Sequence, residues 1–405
     1  MGFKDYVVVR SDVLDPSYDD KLAPEIDEVV LETAPIIYRD AGEFFSRTYP
    51  TQAIKVILNE IANVFRNGSG RKIYPLVSLF GGGKTHTLLT IYHALRSPDK
   101  VHLMDKELGK IYRNIPRVNI IVVSGKTDAL APWPKTPFRE GNVKIGTLWG
   151  YIAYKLGEYE KIKEYDEEVK VPGREVLISI LRGKKAVILI DEIAEYIKRI
   201  IKSQYEYKYD YVDQVITFID YLAGAVESTN NVLIITFPLE TRGEQIRTIQ
   251  EGYETIGSII RTLFIRVFRV AGNVYAPVTS SEEIYGILRK RLFERIDYES
   301  AYMELRKLFE TYREHEEIFS DTSRLINEVK NSYPFHPHYL NVIWLIADKV
   351  TGQRTRSIMK ISRIVIRRLI TSAKENPVLI MPWHIDPKEL NLYGLLFLGS
   401  YGVYQ

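Results

Sequence analysis

The chain has 405 residues, of which 45% are hydrophobic and 26% are charged, and its formal net charge at pH 7 is +3. This size and apolar content fit two or three globular domains and exclude wholesale disorder. The absence of cysteine excludes disulfides and thiolate metal sites and is typical of a reducing compartment. A nearly neutral net charge neither requires nor excludes a nucleic-acid partner.

Two further general features of the sequence concern the location of the protein in the cell and the temperature at which it works. The sequence has no run of about eighteen apolar residues and no apolar core of a signal peptide, so we expect a cytoplasmic protein that does not enter a membrane. Tyrosine is abundant at 28 residues, charged residues are frequent and cysteine is absent. This bias is typical of proteins that work at high temperature, and we hypothesise a thermophilic, archaeal source.

The first quarter of the chain predicts a loop region, a helix and a strand. Residues 1–40 are predicted to be an N-terminal extension of loops and turns. A helix is predicted to start after its N-cap, Thr51, and to stop at Gly68, because apolar residues recur between them at helical spacing. Residues 72–80 (KIYPLVSLF) indicate a buried strand that runs directly into three glycines, and a helix is predicted over 84–95.

Strands and helices continue to alternate through the middle of the chain. Apolar strands are predicted at 117–124, 186–190 and 231–237, with a fifth candidate at 264–270 (FIRVFRV). Helices are predicted at 145–159 and 175–181, and an extended loop at 125–145. Apolar strands that alternate with helices indicate an α/β fold, here a three-layer αβα core whose parallel sheet is covered on both faces.

The pattern changes near residue 280, beyond which only helices are predicted. We therefore expect an α/β domain at 41–279, an all-α domain at 280–375 and a C-terminal segment at 376–405. The last segment ends in an apolar, tyrosine-rich stretch (NLYGLLFLGSYGVYQ). An exposed apolar terminus is an aggregation hazard, so we expect the chain to be a fragment of a longer protein.

The glycines after the first predicted sheet strand predict a phosphate-binding loop, or P-loop. Gly81, Gly82 and Gly83 allow the backbone to curl with its N–H groups pointing inward, and the helix that follows adds its positive N-terminus. The full pattern asks for a glycine where Ser78 stands, which affects only the outer turn of the loop. The alternative, a plain glycine-rich turn, does not require this strand–loop–helix order.

The residues after the glycines carry the chemistry of such a loop. Lys84 is predicted to reach the β- and γ-phosphates of ATP, and the Thr85 hydroxyl is predicted to bind Mg²⁺. His86 would contribute its backbone N–H to the phosphates.

A second motif, AVILIDE at 186–192, predicts the other half of the site. A strand that ends in Asp191 and Glu192 would place Asp191 beside the Mg²⁺ and Glu192 where it orients and deprotonates a water for attack on the γ-phosphate. The alternative is an acidic helix N-terminus. Because a kinase needs no water-activating glutamate, the pair favours ATP hydrolysis.

Thr236 ends the next apolar strand. In ATPases with an inserted strand between the two nucleotide motifs, a polar residue at this place contacts the γ-phosphate or the attacking water. An ordinary strand threonine is the alternative.

Several segments together resemble a known family; they are FGGGKTHTLLTIYHAL, IGTLWGYIAYKLG, PGREVLISILRGKKAVILIDEIAEYI, YPFHP and GQRTRSIMKI. The chain from about Tyr38 to about Leu369 resembles predicted AAA+ ATPases that are catalogued only as a domain of unknown function. That family is widespread in bacteria and archaea, is often encoded beside DNA methylases, and is related to the large ATPases of the BREX phage-defence systems. The resemblance implies an AAA+ αβα domain followed by an α-helical lid.

The resemblance also implies arginines that complete the site. Arg356 matches the lid arginine that touches the γ-phosphate, with Arg354 as a competitor. Arg261, at the end of a helix that leads into the FIRVFRV strand, falls where a finger that reaches a neighbouring subunit is found, which would imply a homo-oligomer. Solvated or salt-bridged arginines are the alternative.

These patterns lead to one principal expectation and two rivals. We expect a Mg²⁺-dependent AAA+ ATPase that couples hydrolysis to remodelling of a nucleic acid or nucleoprotein in defence against foreign DNA, with DNA or DNA-modification and defence proteins as partners. A nucleotide-dependent switch or scaffold with little turnover is the first alternative. A metabolic P-loop kinase is the second, and the Asp191-Glu192 pair and the helical C-terminal region disfavour it.

Overall fold

The computed structural model describes residues 1–388 except positions 20, 80, 243–244, 319–320, 351–353 and 373. Two compact units are found: a sheet unit, Pro24–Ser46 with Pro50–Val278, and a terminal unit, Met1–Ala23 with Arg47–Tyr49 and the described residues of Thr279–Gln405. The apolar C-terminal stretch that suggested a fragment lies outside the described residues. None of the described helices combines the length and the apolar character needed to cross a membrane.

The strands of the described residues are β1 (Val7–Val9), β2 (Ile73–Val77), β3 (Asn119–Ser124), β4 (Phe138–Glu140), β5 (Val143–Ile145), β6 (Ala186–Asp191), β7 (Val232–Phe237), β8 (Leu239–Arg242), β9 (Gln245–Ile249) and β10 (Phe293–Ile296).

The helices are α1 (Ser11–Leu14), α2 (Ile26–Val30), α3 (Ile36–Arg39), α4 (Ala41–Ser46), α5 (Gln52–Asn67), α6 (Lys84–Arg96), α7 (Lys106–Tyr112), α8 (Leu148–Lys155), α9 (Lys163–Glu167), α10 (Arg174–Leu181), α11 (Ile193–Lys202), α12 (Lys208–Glu227), α13 (Gly257–Ala271), α14 (Ser281–Leu292), α15 (Tyr298–Glu314), α16 (Thr322–Ser332), α17 (Pro337–Val350) and α18 (Arg354–Thr371).

The sheet unit is built on four parallel strands in the order β2-β7-β6-β3. Every residue of β2, β6 and β7 is buried, as expected for a parallel sheet covered on both faces. Helices α6, α11, α12 and α13 pack against these strands. The predicted α/β class and the four strands are therefore confirmed, and the architecture is consistent with three layers.

The prediction of a fifth strand at residues 264–270 (FIRVFRV) is wrong. These residues belong to α13, where Ile260, Leu263, Phe264 and Val267 are buried. Their spacing of three and four residues is the helical period, which competes with the short β-like run that suggested a strand. The place beside β2 is taken instead by Tyr275, whose carbonyl oxygen accepts from the Val77 N–H at 2.9 Å.

Helices α5 and α6 flank the strand that precedes the glycines. The Thr51 hydroxyl accepts a hydrogen bond from the Ile54 N–H, and Gly68 at φ 71° ends α5, so both predicted boundaries are confirmed. The region 125–145, predicted to be a loop, contains the antiparallel hairpin of β4 and β5. Helix α8 is shorter than predicted, because it starts only after its N-cap, Thr147.

The terminal unit combines the last helices with the start of the chain. Strand β1 pairs antiparallel with β10, so the region predicted to be all-α also contains a strand. The predicted loop region 1–40 contains α1, α2 and α3 as well as β1. Strand β1 escaped prediction because its partner β10 lies nearly 300 residues away in the sequence. Helices α1, α2 and α3 escaped it because they have only four or five residues each.

A buried ion-pair cluster holds α1 to α18 inside this unit. Arg363 is 1% exposed and bonds Asp12 at 3.0 Å and Asp19 at 3.1 Å. Arg367 also bonds Asp19, at 2.6 Å. Removal of one partner of a buried pair leaves an uncompensated charge and costs about 3–5 kcal/mol.

Candidate functional site

The three glycines between β2 and α6 lie where a Cβ atom is disfavoured by the backbone conformation or by lack of space. Gly81 and Gly83 have φ values of 71° and 89°, in the left-handed region that disfavours residues with a Cβ atom. A Cβ on Gly82 would lie 2.2 Å from the Ser78 hydroxyl oxygen. The loop therefore curls as tightly as the sequence predicts, and Ser78 lies on its inner side against Gly82.

Lys84, at the first position of α6, is folded back over this loop. Its side-chain nitrogen donates to the Ser78 carbonyl oxygen at 2.6 Å and to the Leu79 carbonyl oxygen at 3.1 Å. Burial lowers the pKa of Lys84, and the carboxylates of Glu192 and Asp191 oppose that shift. The ammonium group thus lies in a buried loop, where its acceptors among the described residues are these two carbonyl oxygens and the Ser78 hydroxyl oxygen.

Asp191, the last residue of β6, accepts hydrogen bonds from two threonines. The Thr85 hydroxyl donates to Oδ2 at 2.9 Å, and the Thr236 hydroxyl donates to Oδ1 at 2.8 Å. Asp191 is 2% exposed, and burial raises its pKa, although the two hydroxyls and Lys84 partly offset the rise. The carboxyl ends of β6 and β7 and the start of α6 therefore meet at one carboxylate.

Glu192 follows in a strained backbone conformation. Its φ of 53° and ψ of 41° lie in the left-handed region, which costs a non-glycine residue about 1–3 kcal/mol. Its backbone N–H donates to the Thr236 hydroxyl oxygen at 3.0 Å and to Asp191 Oδ1 at 3.1 Å. Thr236 thereby stabilises the backbone turn that orients Glu192.

Gly125, just after β3, makes room for this turn. A Cβ at Gly125 would lie 1.9 Å from the Glu192 carbonyl oxygen. Its N–H donates to the Asp191 carbonyl oxygen at 2.9 Å. Any side chain at this position would push the Asp191-Glu192 backbone away.

The charge on Glu192 is set by its neighbours. Burial, and then the negative charge of Asp191, raise the pKa of Glu192, whereas Lys84 and Lys126 act in the opposite direction. Lys126 is held by an ion pair with Glu25 at 2.7 Å. A carboxyl whose pKa is moved toward neutrality is suited to accept a proton.

Sequence reasoning missed Tyr253, which contacts Glu192 from a turn before α13. This side chain is 4% exposed. Its hydroxyl group donates to Glu195 Oε2 at 3.2 Å and lies 3.5 Å from Glu192 Oε2. No local motif marks this residue, because it lies 61 positions from Glu192 and belongs to no strand or α-helix. Gly125 and Lys126 were missed for the same reason.

The other predicted site residues lie on α6, α13 and α18. The His86 ring packs on Phe44, with ring centroids 4.7 Å apart. Arg261 is exposed on the first half of α13, not at the end of a helix that leads into a strand. Arg354 and Arg356 begin α18 in the terminal unit. Arg356 is exposed, and the Arg354 side chain lies outside the described residues.

The donor set fits a magnesium ion that is shared with phosphates. Among the described residues, no group of three or more acidic, histidine or cysteine side chains could hold a metal by itself. Mg²⁺ is usually bound by one or two carboxylates together with substrate phosphates and water, and Asp191 with the Thr85 hydroxyl offers that partial set. The pKa values of the two adjacent carboxyls are raised, and a bound cation would stabilise their charged forms.

Two family models match the chain. The DUF499 N-terminal domain matches residues 1–274, and the DUF499 second domain matches residues 279–405. The chain therefore belongs to the DUF499 family, a family whose designation is a domain of unknown function. Neither a curated protein nor a solved structure matches it.

Proposed function

We propose that this protein is a Mg²⁺-dependent ATP hydrolase of the P-loop class. The observation that carries the proposal is the meeting of Lys84, Thr85 and the Asp191-Glu192 pair at the carboxyl edge of one parallel sheet. Ligands bind at this edge in open α/β sheets. The glycine loop supplies inward N–H groups and the start of α6 supplies a positive dipole end, which together suit a polyphosphate.

Each residue has a distinct part in the proposed reaction. Lys84 exchanges its bonds to the Ser78 and Leu79 carbonyl oxygens for phosphate oxygens. Bound Mg²⁺ would supply neutralisation of the phosphate charge, and Thr85 and Asp191 would hold it. Glu192 orients a water and accepts its proton as the water attacks the γ-phosphate.

Thr236 has a positioning role in this proposal. It donates to the Asp191 carboxylate and accepts from the Glu192 backbone N–H, so its hydroxyl links that carboxylate to the backbone turn at Glu192. This geometry differs from the predicted direct contact between Thr236 and the γ-phosphate or water. Both roles place Thr236 at the same edge.

The order of the strands supports the AAA+ class. Strand β7, with Thr236, lies between β2, which precedes the glycine loop, and β6, which ends in Asp191. An inserted strand between the two nucleotide motifs is the feature expected for that class. After Asp297 the named elements in the described part of the terminal unit are all helices, which is consistent with a lid.

The resemblance to the ATPases encoded beside DNA methylases extends the proposal. We infer that hydrolysis drives remodelling of DNA or nucleoprotein, in defence against foreign DNA. A switch with little turnover is the second candidate, and the strained Glu192 held by Tyr253 favours it. A held general base would keep turnover low until a partner frees it.

Phosphate release from ATP, measured with and without single-stranded and double-stranded DNA, separates these candidates. A motor on nucleic acid is expected to hydrolyse ATP faster with DNA. Tight ATP binding with turnover near zero under all conditions would contradict the motor and support the switch.

A further inference from the structure

A groove of about 860 Å³ runs along the free side of the sheet in the sheet unit. Strand β3 is the edge strand, since its only partner among the described strands is β6. Residues 117–122 line the groove consecutively, so the edge of β3 forms one wall. Strand β4 (Phe138–Glu140) also lines it.

The backbone of β3 directs hydrogen-bonding groups into this groove. The Asn119 N–H donates to the Lys185 carbonyl oxygen at 2.7 Å, and the Gly125 N–H donates to Asp191 at 2.9 Å. Along a strand the backbone N–H and C=O groups of successive residues point alternately to either side. In β3 those of the odd-numbered residues are therefore directed toward β6. The N–H and C=O groups of Ile120 and Val122 therefore point to the open side, and neither makes a hydrogen bond within the described part of the chain.

The groove combines positive charge with an apolar floor. Arg96, Arg117, Arg139 and Lys155 line it, against a single carboxylate, Glu140, which lies 3.9 Å from Lys155. Apolar contact comes from the buried side chains of Leu95 on α6, Tyr151 on α8 and Leu130 in the segment after β3. An occupant of this groove must carry negative charge and present an apolar face.

We propose that this groove binds an extended, acidic segment of a partner protein, which adds a strand to β3. Main-chain bonds to Ile120 and Val122 would supply affinity, and alternate side chains would supply specificity. The four cations would repel the same edge of a second copy, because charged residues on an edge deter self-pairing. A nucleic acid fits less well, since phosphates accept hydrogen bonds and would face the outward carbonyl oxygens of β3.

This inference does not depend on ATP hydrolysis and is tested by binding. The probe is a fluorescein-labelled, N-acetylated octapeptide of alternating Glu and Val, titrated against the full chain by anisotropy. Two control peptides are used: one with Lys in place of Glu, and one N-methylated at alternate residues so that it keeps its charge but loses the ladder.

We expect the acidic peptide to bind and both control peptides to bind at least about tenfold more weakly, the equivalent of 1.4 kcal/mol. The double variant Arg117→Glu, Arg139→Glu should weaken binding of the acidic peptide by a similar factor. The control Arg182→Glu, which changes an exposed arginine outside the groove, should leave binding unchanged. Amide exchange at Ile120 and Val122 should slow in the complex.

Three results would overturn the proposal. The first is binding of the N-methylated or lysine peptide as tightly as the acidic one. The second is unchanged exchange at Ile120 and Val122. The third is that an oligothymidylate binds and loses affinity in the Arg117→Glu, Arg139→Glu variant, while the acidic peptide does not bind. This result would assign the groove to nucleic acid.

Discussion

The Thr85 hydroxyl lies 2.9 Å from Asp191 Oδ2, a hydrogen bond between residues 106 positions apart in the sequence. This contact brings the helix after the glycine loop to the acidic end of β6. A hydroxyl and a carboxylate at this distance can share one Mg²⁺ directly or through a water. The pair therefore marks where the metal and the phosphates are expected to meet.

Lys84→Ala should remove the cation that the loop holds over the phosphates. Loss of one such charged donor commonly lowers turnover by about 10²–10³-fold, and we expect at least that loss, together with weaker ATP binding by calorimetry. Lys106→Ala, at an exposed lysine of α7, is the matched control and should leave both unchanged. Equal ATP affinity for Lys84→Ala and wild type would argue against a phosphate role.

Glu192→Gln should stabilise the protein in the absence of nucleotide. The pKa of Glu192 is raised above its ordinary 4.5, so the folded state binds this proton more tightly than the unfolded state. Stability from this group is therefore lost as the pH rises from about 4.5 through the raised value. Glutamine carries no such penalty.

The melting temperature of Glu192→Gln should exceed that of wild type by roughly 2–4 °C at pH 7, the shift expected for about 1 kcal/mol. Calorimetry should show this difference shrinking below pH 4.5, where the wild-type carboxyl is protonated in both states. A variant that melts below wild type at pH 7 would refute the assignment of a strained, destabilising carboxylate.

Tyr253→Phe removes only the hydroxyl that contacts Glu192 and Glu195. Loss of a donor to a carboxylate raises its pKa, so the acid limb of the kcat profile should move to higher pH. If Tyr253 positions Glu192 in an active hydrolase, kcat at pH 7 should fall roughly twofold to tenfold with little change in KM, because one hydrogen bond contributes about 0.5–1.5 kcal/mol. If Tyr253 instead holds the base idle, as in the switch, kcat should rise. Tyr207→Phe, at a 57% exposed tyrosine, serves as control, and an unshifted profile for Tyr253→Phe would assign it a packing role only.

Arg261→Ala tests whether the site is completed by a second subunit. A finger acting in trans contributes about 10³–10⁵ in kcat, so turnover should drop by about 10³-fold or more while ATP affinity is retained. Mixing this variant with Lys84→Ala should restore part of the activity, because some interfaces then combine an intact loop with an intact finger. Unchanged turnover, or no recovery on mixing, would remove Arg261 from the mechanism.

The sequence predicted the parts of the site that are local in the chain. The glycine loop with Lys84, and the apolar strand ending in Asp191, carry spacing and composition that follow directly from backbone sterics and burial. The four sheet strands could be predicted because each contains a run of at least four consecutive apolar residues.

What escaped prediction depends on contacts between distant segments. Tyr253 and Gly125 reach Glu192 only through the fold, and a lone tyrosine or glycine carries no signal of that. Strand β1 is three residues long, and its partner β10 lies far away in the sequence, at Phe293–Ile296. Residues 264–270, the second half of α13, are predicted as a strand because their β-branched and aromatic side chains favour strands locally, whereas the buried residues of the whole helix recur at helical spacing.

The central claim is tested most directly by measuring both the rate of ATP hydrolysis and the affinity for ATP, on wild type and on Glu192→Gln. If Glu192 is the base that activates water, the variant should bind Mg²⁺-ATP as tightly as wild type and hydrolyse it about 10²-fold more slowly or worse. Wild-type hydrolysis that survives the substitution unchanged would contradict the account.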